Sequence, residues 1–345
     1  MRALVLHGDG DVRVDQVDDP TPDALTGAVV RITHTAICGS DLHLFHGQNQ
    51  AYPLRPGHEL VGEVVEVGSG VERFSPGDQV LVAGVIGCGR CPACRVGDVV
   101  ACRDGGPKVF GVGPDLHGGQ AEAVAVPDAD SSLLRIPDGI TAEQAVLLTD
   151  ILPTGWYGAE LAGVEPGATV AVIGLGPVGI QAVLSALVMG AARVIAVDPV
   201  PQRRKLASSL GAIAVDPGLT GGAAAILELT GGLGADSVIE AVGLQSTIHD
   251  AIFGVKVGGT VAVVGVNLSM DFPFPMAWAF ARDLTFRIGL CPVPGTWSRL
   301  VPLVAAGRLA PEVVFTHRMS LGQGPEAYGL FDRREDGVMK VLLTP

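Results

Sequence analysis

The stretch TVAVIGLGPVGIQAV, residues 169 to 183, constrains this chain more than any other. An apolar, β-branched run ends in Gly174, Gly176 and Gly179, spaced G-x-G-x-x-G, and a helix-like segment opens at Pro177 and Val178. In a strand–turn–helix the first glycine permits the tight turn. The second lets the backbone approach a pyrophosphate, and the third lets helix pack on strand. Phosphate then meets unpaired N–H groups at the helix start. With 48 glycines in the chain the pattern alone is weak, and its context carries the weight. From about 168 to 290, strand-like runs (TVAVIG, RVIAVD, SVIEAVG, TVAVVGV) alternate with helix-length segments (VGIQAVLSALVMG, PQRRKLASSLG, LQSTIHDAIFGVKVG). That alternation predicts βαβ units and a parallel sheet. Asp198 follows Gly179 by nineteen residues, at the end of the next strand-like run. An acid there accepts ribose hydroxyls and repels a 2′-phosphate, which favours NAD over NADP. Arg203 and Arg204 pull the other way, because a nearby arginine can accommodate that phosphate.

The flanks read differently. Residues 1 to about 150 hold short β-like runs such as GAVVRITHTA, LVGEVVEVGSG and DQVLVAG, broken by Gly and Pro. They predict an irregular barrel or sandwich. After about 290 the pattern is mixed again, with PEAYGLFDRREDG as a helix leading to a last strand, VMKVLLTP. CPVPG, 291 to 295, suits a return crossing. The expected division is a split β-rich domain, 1–152 and 292–345, around an inserted α/β domain, 153–291. Charged residues are 17%, which suits parallel strands buried under helices on both faces. A net charge of −13 argues against a nucleic-acid surface, which needs clustered Lys and Arg. Pro166 to Ala192 carries no charge and is long enough to span a bilayer. Its glycines and central Pro177 read better as a buried strand, turn and helix. MRALVLHGDG lacks a secretory apolar core, so the expectation is a soluble cytoplasmic protein off the membrane.

Four of the six cysteines crowd into CGRCPACRVGDVVAC: Cys88, Cys91, Cys94 and Cys102, spaced C-x2-C-x2-C-x7-C within a lobe of about 86–105. Four thiolates around zinc leave no position for water, so such a metal is structural. An iron–sulfur run shares the first spacings but not the last. A second set is dispersed. ICGSDLH holds Cys38, Ser40, Asp41 and His43; RPGHELVGEV holds His58 and Glu59; AVLLTDILPTG holds Asp150. Each alone is ordinary. A buried Cys packs as a small hydrophobe, a single His sits in many loops, and Asp caps helices and turns. Together they offer sulfur, nitrogen and oxygen donors with a fourth position open, the arrangement of a catalytic zinc.

In CGSDLH, GHE, VGEVVEVGSGVERFSPGDQV, the four-Cys lobe, DILPTG and GLGPVG, taken in that order, the chain resembles the zinc-dependent alcohol dehydrogenases of the medium-chain dehydrogenase/reductase superfamily. The resemblance covers nearly the whole length. It implies a GroES-like catalytic domain with an inserted Rossmann domain, and two zinc ions per chain. Cys38 and His58 match the first two catalytic ligands, and Asp150 stands where the third is often a cysteine. Glu59 matches the carboxylate behind the metal, Ser40 and His43 the proton relay. Thr154 matches a residue beside the nicotinamide. Val242, Gly243, Val264 and Val266, at later strand ends, are expected at the cofactor, and Lys340 near its pyrophosphate. Gln120 and Ala123 depart from the family, whose members often carry aromatics there, at the substrate pocket. Trp156, Trp278 and Trp297 are expected to fill core. The implied activity is NAD-linked interconversion of a small alcohol and its carbonyl by a homo-oligomer, a tetramer or a dimer. A polyol, sugar-alcohol or formaldehyde dehydrogenase on the same scaffold is the alternative. A non-catalytic NAD- and zinc-binding protein is a remoter one.

Overall fold

The computed structural model describes residues 1–48 and 52–345. The chain divides into two units, Met1–Pro153 with Pro292–Pro345, and Thr154–Cys291.

In the unit Thr154–Cys291 the apolar runs form six parallel strands. Their order across the sheet is Ile213–Val215, Arg193–Val197, Thr169–Ile173, Ala235–Glu240, Val255–Val263, Thr285–Ile288. Numbered along the chain this is 3-2-1-4-5-6, the Rossmann order. Val170, Ala171, Val172, Val194, Ile195, Ala196, Val238 and Ile239 are all buried, as strands covered on both faces must be. The strand order reverses between Thr169–Ile173 and Ala235–Glu240, so ligands are expected where these two strands end. The helix Pro177–Val188 follows the first of them, with Pro177 in the opening turn, where its missing N–H costs nothing. The segment LQSTIHDAIFGVKVG, which reads as a single helix in the sequence, is corrected. The helix is Gln245–Gly254, and Val255–Val263 is already strand. Val255 and Val257 are β-branched, and Val255 pairs with Ala235, so tertiary pairing overrides the helical pattern. Trp278 is likewise corrected: it is 41% exposed, lying against Phe253 and under the Arg282 guanidinium, whereas Trp156 and Trp297 are buried.

In the other unit a seven-stranded sheet runs His317–Ser320, Val341–Thr344, Ala28–Ala36, Leu60–Val67, Gln79–Val82, Leu133–Arg135, with Ala123–Val126 paired to Ala28–Ala36. Only the pair His317–Ser320 and Val341–Thr344 is parallel. Leu4, Leu6, Ile37, Leu44, Phe45, Tyr328, Phe331 and Leu343 share a core beside it. Three neighbouring strands bring distant residues to one edge of this sheet. Thr35 stands opposite both Leu60 and Leu343. The residues just beyond these strand ends are Cys38, His58 with Glu59, and Lys340. The peptides interlock there: Ala36 N donates to Glu59 O at 3.1 Å and Ile37 N to Val341 O at 3.2 Å. No helix among the described residues is long and apolar enough to cross a membrane.

Candidate metal centre and dinucleotide site

Residues far apart in sequence meet at those strand ends. Cys38, His58, Glu59 and Asp150 each offer a donor atom, and these atoms all lie within 4.8 Å of one another. Asp150 Oδ2 is 3.6 Å from Cys38 Sγ and 3.5 Å from His58 Nε2. Asp150 is brought in from the turn before the helix Ile151–Leu161, where Gly84 N donates to the carbonyl of Thr149 at 2.9 Å. Ser40 Oγ stands 3.1 Å from His58 Nε2 and is half-buried. His43 lies one turn on; its Nδ1 is 2.9 Å from Gln48 Oε1 and it is half-buried. Soft sulfur, imidazole and carboxylate donors at this spacing fit a zinc ion and leave one position open.

The electrostatics ask for positive charge. Cys38, Glu59 and Asp41 are buried, and Asp150 is nearly so. Burial pushes the Cys38 thiol up. Burial alone would push His58 down, but Asp41 and then Cys38 and Asp150 outweigh it and hold His58 well above its ordinary value. A cation among these groups removes the conflict, and binding one displaces the thiol proton. Behind the donors, the Lys340 ammonium pairs with Glu59, and both side chains are fully buried. This corrects the expectation of Lys340 at the pyrophosphate: its partner is a buried carboxylate behind the donor set. Burial would lower Lys340, yet Glu59, Cys38 and Asp150 around it keep it above the usual lysine value.

Asp41 was named in the sequence without a role. Its Oδ1 faces His58 Nδ1 at 3.4 Å, and its Oδ2 accepts the Cys38 N–H at 2.9 Å. A carboxylate on the far nitrogen of a ligating histidine fixes ring and tautomer. The signal available was only its position three residues after a candidate cysteine ligand. Gln120 is also corrected. It is 1% exposed and donates to Asp41, so it faces inward rather than shaping a pocket wall.

The second cluster is compact. Cys88, Cys91, Cys94 and Cys102 offer sulfurs all within 4.8 Å of one another, and none is in a disulfide. Backbone N–H groups of Arg103 and Cys94 pull Cys91 down to about 6. Burial pushes Cys94 up to about 12. A lowered thiol among four, with backbone donors aimed at sulfur, is the environment of a closed thiolate shell.

In the other unit, the glycine turn follows Thr169–Ile173. A Cβ on Gly179 would lie 1.7 Å from the Gly174 carbonyl oxygen, so only glycine lets this helix start against its strand. Asp198 ends the next strand. Its Oδ2 accepts the Leu175 N–H and its Oδ1 the Val200 N–H, both at 2.8 Å, which ties it to the glycine turn. Arg203 Nη1 lies 3.6 Å from Asp198 Oδ2. Arg204 is engaged by the Asp198 carbonyl and by Asp216. Across the switch point, buried Glu240 accepts N–H bonds from Val242 and Gly243, both at 2.9 Å, and the Thr247 hydroxyl at 2.7 Å. Glu240 was not singled out in the sequence, although it shapes the turn that carries Val242 and Gly243. Val264 and Val266 follow the next strand, half-buried and exposed respectively. Thr154 lies in the first turn of the helix Ile151–Leu161. Gly179→Ala is expected to weaken dinucleotide binding by at least about tenfold, since a misplaced turn loses the backbone N–H contacts. Titration of the reduced cofactor by fluorescence checks this, and wild-type affinity would remove the turn from the site.

Two family models match the chain: "Alcohol dehydrogenase GroES-like domain" over residues 25–138 and "Zinc-binding dehydrogenase" over 177–306. A Mycobacterium tuberculosis protein named "Probable zinc-binding alcohol dehydrogenase" is 44% identical, covering 100% of this chain and 89% of its own length. Among solved structures, alcohol dehydrogenase TADH from Thermus sp. ATN1 is 40% identical with a TM-score of 0.93, covering 100% of this chain and 99% of that one. A dehydrogenase structure from Sinorhizobium meliloti, bound to NADP, is 31% identical with a TM-score of 0.86, covering 100% and 99%. With its GroES-like sheet, Rossmann sheet and two clusters of metal donors, the chain belongs to the zinc-binding alcohol dehydrogenases of the medium-chain dehydrogenase/reductase superfamily.

Proposed function

We propose that this protein oxidises a primary or secondary alcohol to the aldehyde or ketone, reversibly, with NAD as the hydride acceptor. It would hold one catalytic and one structural zinc. The observation that carries this reading is the meeting of Cys38, His58, Asp150 and Glu59 donor atoms within 4.8 Å, with Ser40 Oγ 3.1 Å from His58 Nε2. Zinc bound there supplies a Lewis acid for the alcohol oxygen. Ser40, beside His58 Nε2, is placed to take the alcohol proton. His43, half-buried and bonded to exposed Gln48, is placed to hand it to water. Asp41 holds the His58 ring, and Lys340 balances Glu59. The Rossmann unit orients the dinucleotide through Gly174, Gly176, Gly179 and Asp198.

The nicotinamide cofactor is tested by initial rates of the 340 nm rise with a simple secondary alcohol. We expect NAD to be preferred over NADP by at least about tenfold in kcat/KM, about 1.4 kcal/mol. Asp198→Asn should narrow that gap, because the charge that repels a 2′-phosphate is gone. Equal or better wild-type use of NADP would favour a second reading, in which Arg203, 3.6 Å from Asp198, accommodates the phosphate. We further read the chain as a cytoplasmic homo-oligomer. Thr285–Ile288 is an edge strand, and Ile288, Phe280 and Met276 beside it are 63%, 88% and 69% exposed. A bare apolar edge is a template for pairing with another copy.

A further inference from the structure

We propose that Gln120 and Tyr328 are positioning residues for the metal centre, acting through Asp41 on His58; the inference rests on the proposed zinc site at Cys38, His58 and Asp150. A chain of directed hydrogen bonds carries it. The Tyr328 hydroxyl donates to Gln120 Oε1 at 2.8 Å. Gln120 Nε2 donates to Asp41 Oδ2 at 2.9 Å and to the Ala36 carbonyl at 3.3 Å. Asp41 Oδ2 also accepts the Cys38 N–H at 2.9 Å. That oxygen is then saturated, and Oδ1 is left for His58. Asp41 Oδ1 and His58 Nδ1, otherwise unpartnered, face each other at 3.4 Å.

The donor inventory fixes the sense of every link. Asp41 offers acceptors to Gln120 and the backbone, so His58 Nδ1 must carry the hydrogen. In the neutral ring that a bound metal requires, His58 Nε2 is then left with its lone pair, turned toward Ser40 Oγ and Asp150. Gln120 can serve Asp41 only with its amide group one way round. Reversed, its oxygen would face a carboxylate and a carbonyl, both acceptors. Asp41 and the Ala36 carbonyl fix that orientation, and the Tyr328 hydroxyl donates to the amide oxygen left on the other side. All three side chains are buried, Tyr328 and Asp41 completely. Burying so many polar atoms beside an apolar core costs free energy unless each is paired.

The same glutamine is wedged against the backbone of the ligand. Gly57, which precedes His58, has φ +107, and a Cβ there would lie 2.6 Å from Gln120 Cγ. Gly119 N donates to the Gly57 carbonyl at 2.9 Å and Gln120 N to the Pro56 carbonyl at 3.2 Å. Gln120 therefore holds both the peptide that carries His58 and the carboxylate that orients its ring. The Tyr328 ring packs near Phe45, with centroids 5.4 Å apart, so the ring serves packing and the hydroxyl serves the chain of bonds.

The test compares Tyr328→Phe, Gln120→Leu and the double variant with wild type by zinc content after equilibrium dialysis against a graded chelator. The four-thiolate site is the internal reference. Each single variant is expected to lose the zinc of the Cys38 site at about 10- to 100-fold lower chelator concentration, with the four-thiolate zinc unmoved. The double variant should be no worse than Gln120→Leu, because Tyr328 acts only through Gln120. Cobalt bound in place of zinc should show altered visible absorption in the same variants. Wild-type retention, parallel loss from both sites, or additive effects would each overturn the proposal. Should Gln120→Leu fail to fold, Tyr328→Phe, which keeps the ring, carries the same criteria alone. A wild-type chain holding only the four-thiolate zinc would overturn the metal centre itself, and this inference with it.

Discussion

Asp150→Ala is expected to leave one zinc on a chain that holds two, and to lower turnover by at least about 10²-fold. Changes that only touch a metal ligand's partners already cost roughly 10–100-fold, and a direct donor exceeds them. The reason lies in the donor count. Cys38 and His58 alone give two donors, and Glu59 has one of its two oxygens paired with Lys340. Asp150, within 3.6 Å of both Cys38 Sγ and His58 Nε2, completes the set. Asp150→Asn separates charge from shape, since the amide keeps an oxygen donor but not the negative charge. Metal analysis and steady-state rates on the same preparation check both halves of the expectation. A variant with two zincs and full turnover would show that Asp150 is a capping residue of the helix Ile151–Leu161 and nothing more.

Lys340→Met should produce the largest loss of stability. The ammonium and the Glu59 carboxylate are each fully buried. Breaking such a pair from one side leaves a charge with neither water nor partner, at a cost of about 3–5 kcal/mol. For a unit of this size that lowers its melting temperature by on the order of 10 °C. Removing both charges differs in kind from removing one. Lys340→Met with Glu59→Gln should recover at least half of the loss, because a neutral buried amide is far cheaper than a bare carboxylate. Calorimetry on wild type, single and double variants gives the comparison. A single variant melting within about 1 °C of wild type would mean that water reaches Glu59.

Features written in one short stretch were legible from the residues. The glycine turn at 174–179 and the thiol cluster at 88–102 each need only local chain geometry. The dispersed donors were legible only through their motifs, since nothing in the spacing of Cys38, His58 and Asp150 says that they meet. What escaped reading is what pairs across long separations. Asp41 and Gln120 are 79 positions apart, Gln120 and Tyr328 are 208, and Glu59 and Lys340 are 281. Polar residues inside apolar strings carry no mark of their partner. Gln120 was placed at the pocket and Lys340 near the pyrophosphate by the resemblance alone, which does not give the buried partner of either side chain. The strand at Val255–Val263 was hidden for a related reason. VKVGG continues a helical pattern, and only its neighbour Ala235–Glu240 makes it a strand.

The strand Val341–Thr344, which pairs with Ala28–Ala36 at the donor set, is separated from it by most of the chain. Lys340, just before it, reaches Glu59 across 281 positions. The four thiols, by contrast, lie together within fifteen residues. The two donor sets therefore differ in the length of chain that must close around them. The thiolate lobe closes a loop of fifteen residues, whereas the reactive centre needs strands from both sides of the inserted Rossmann unit to pair first.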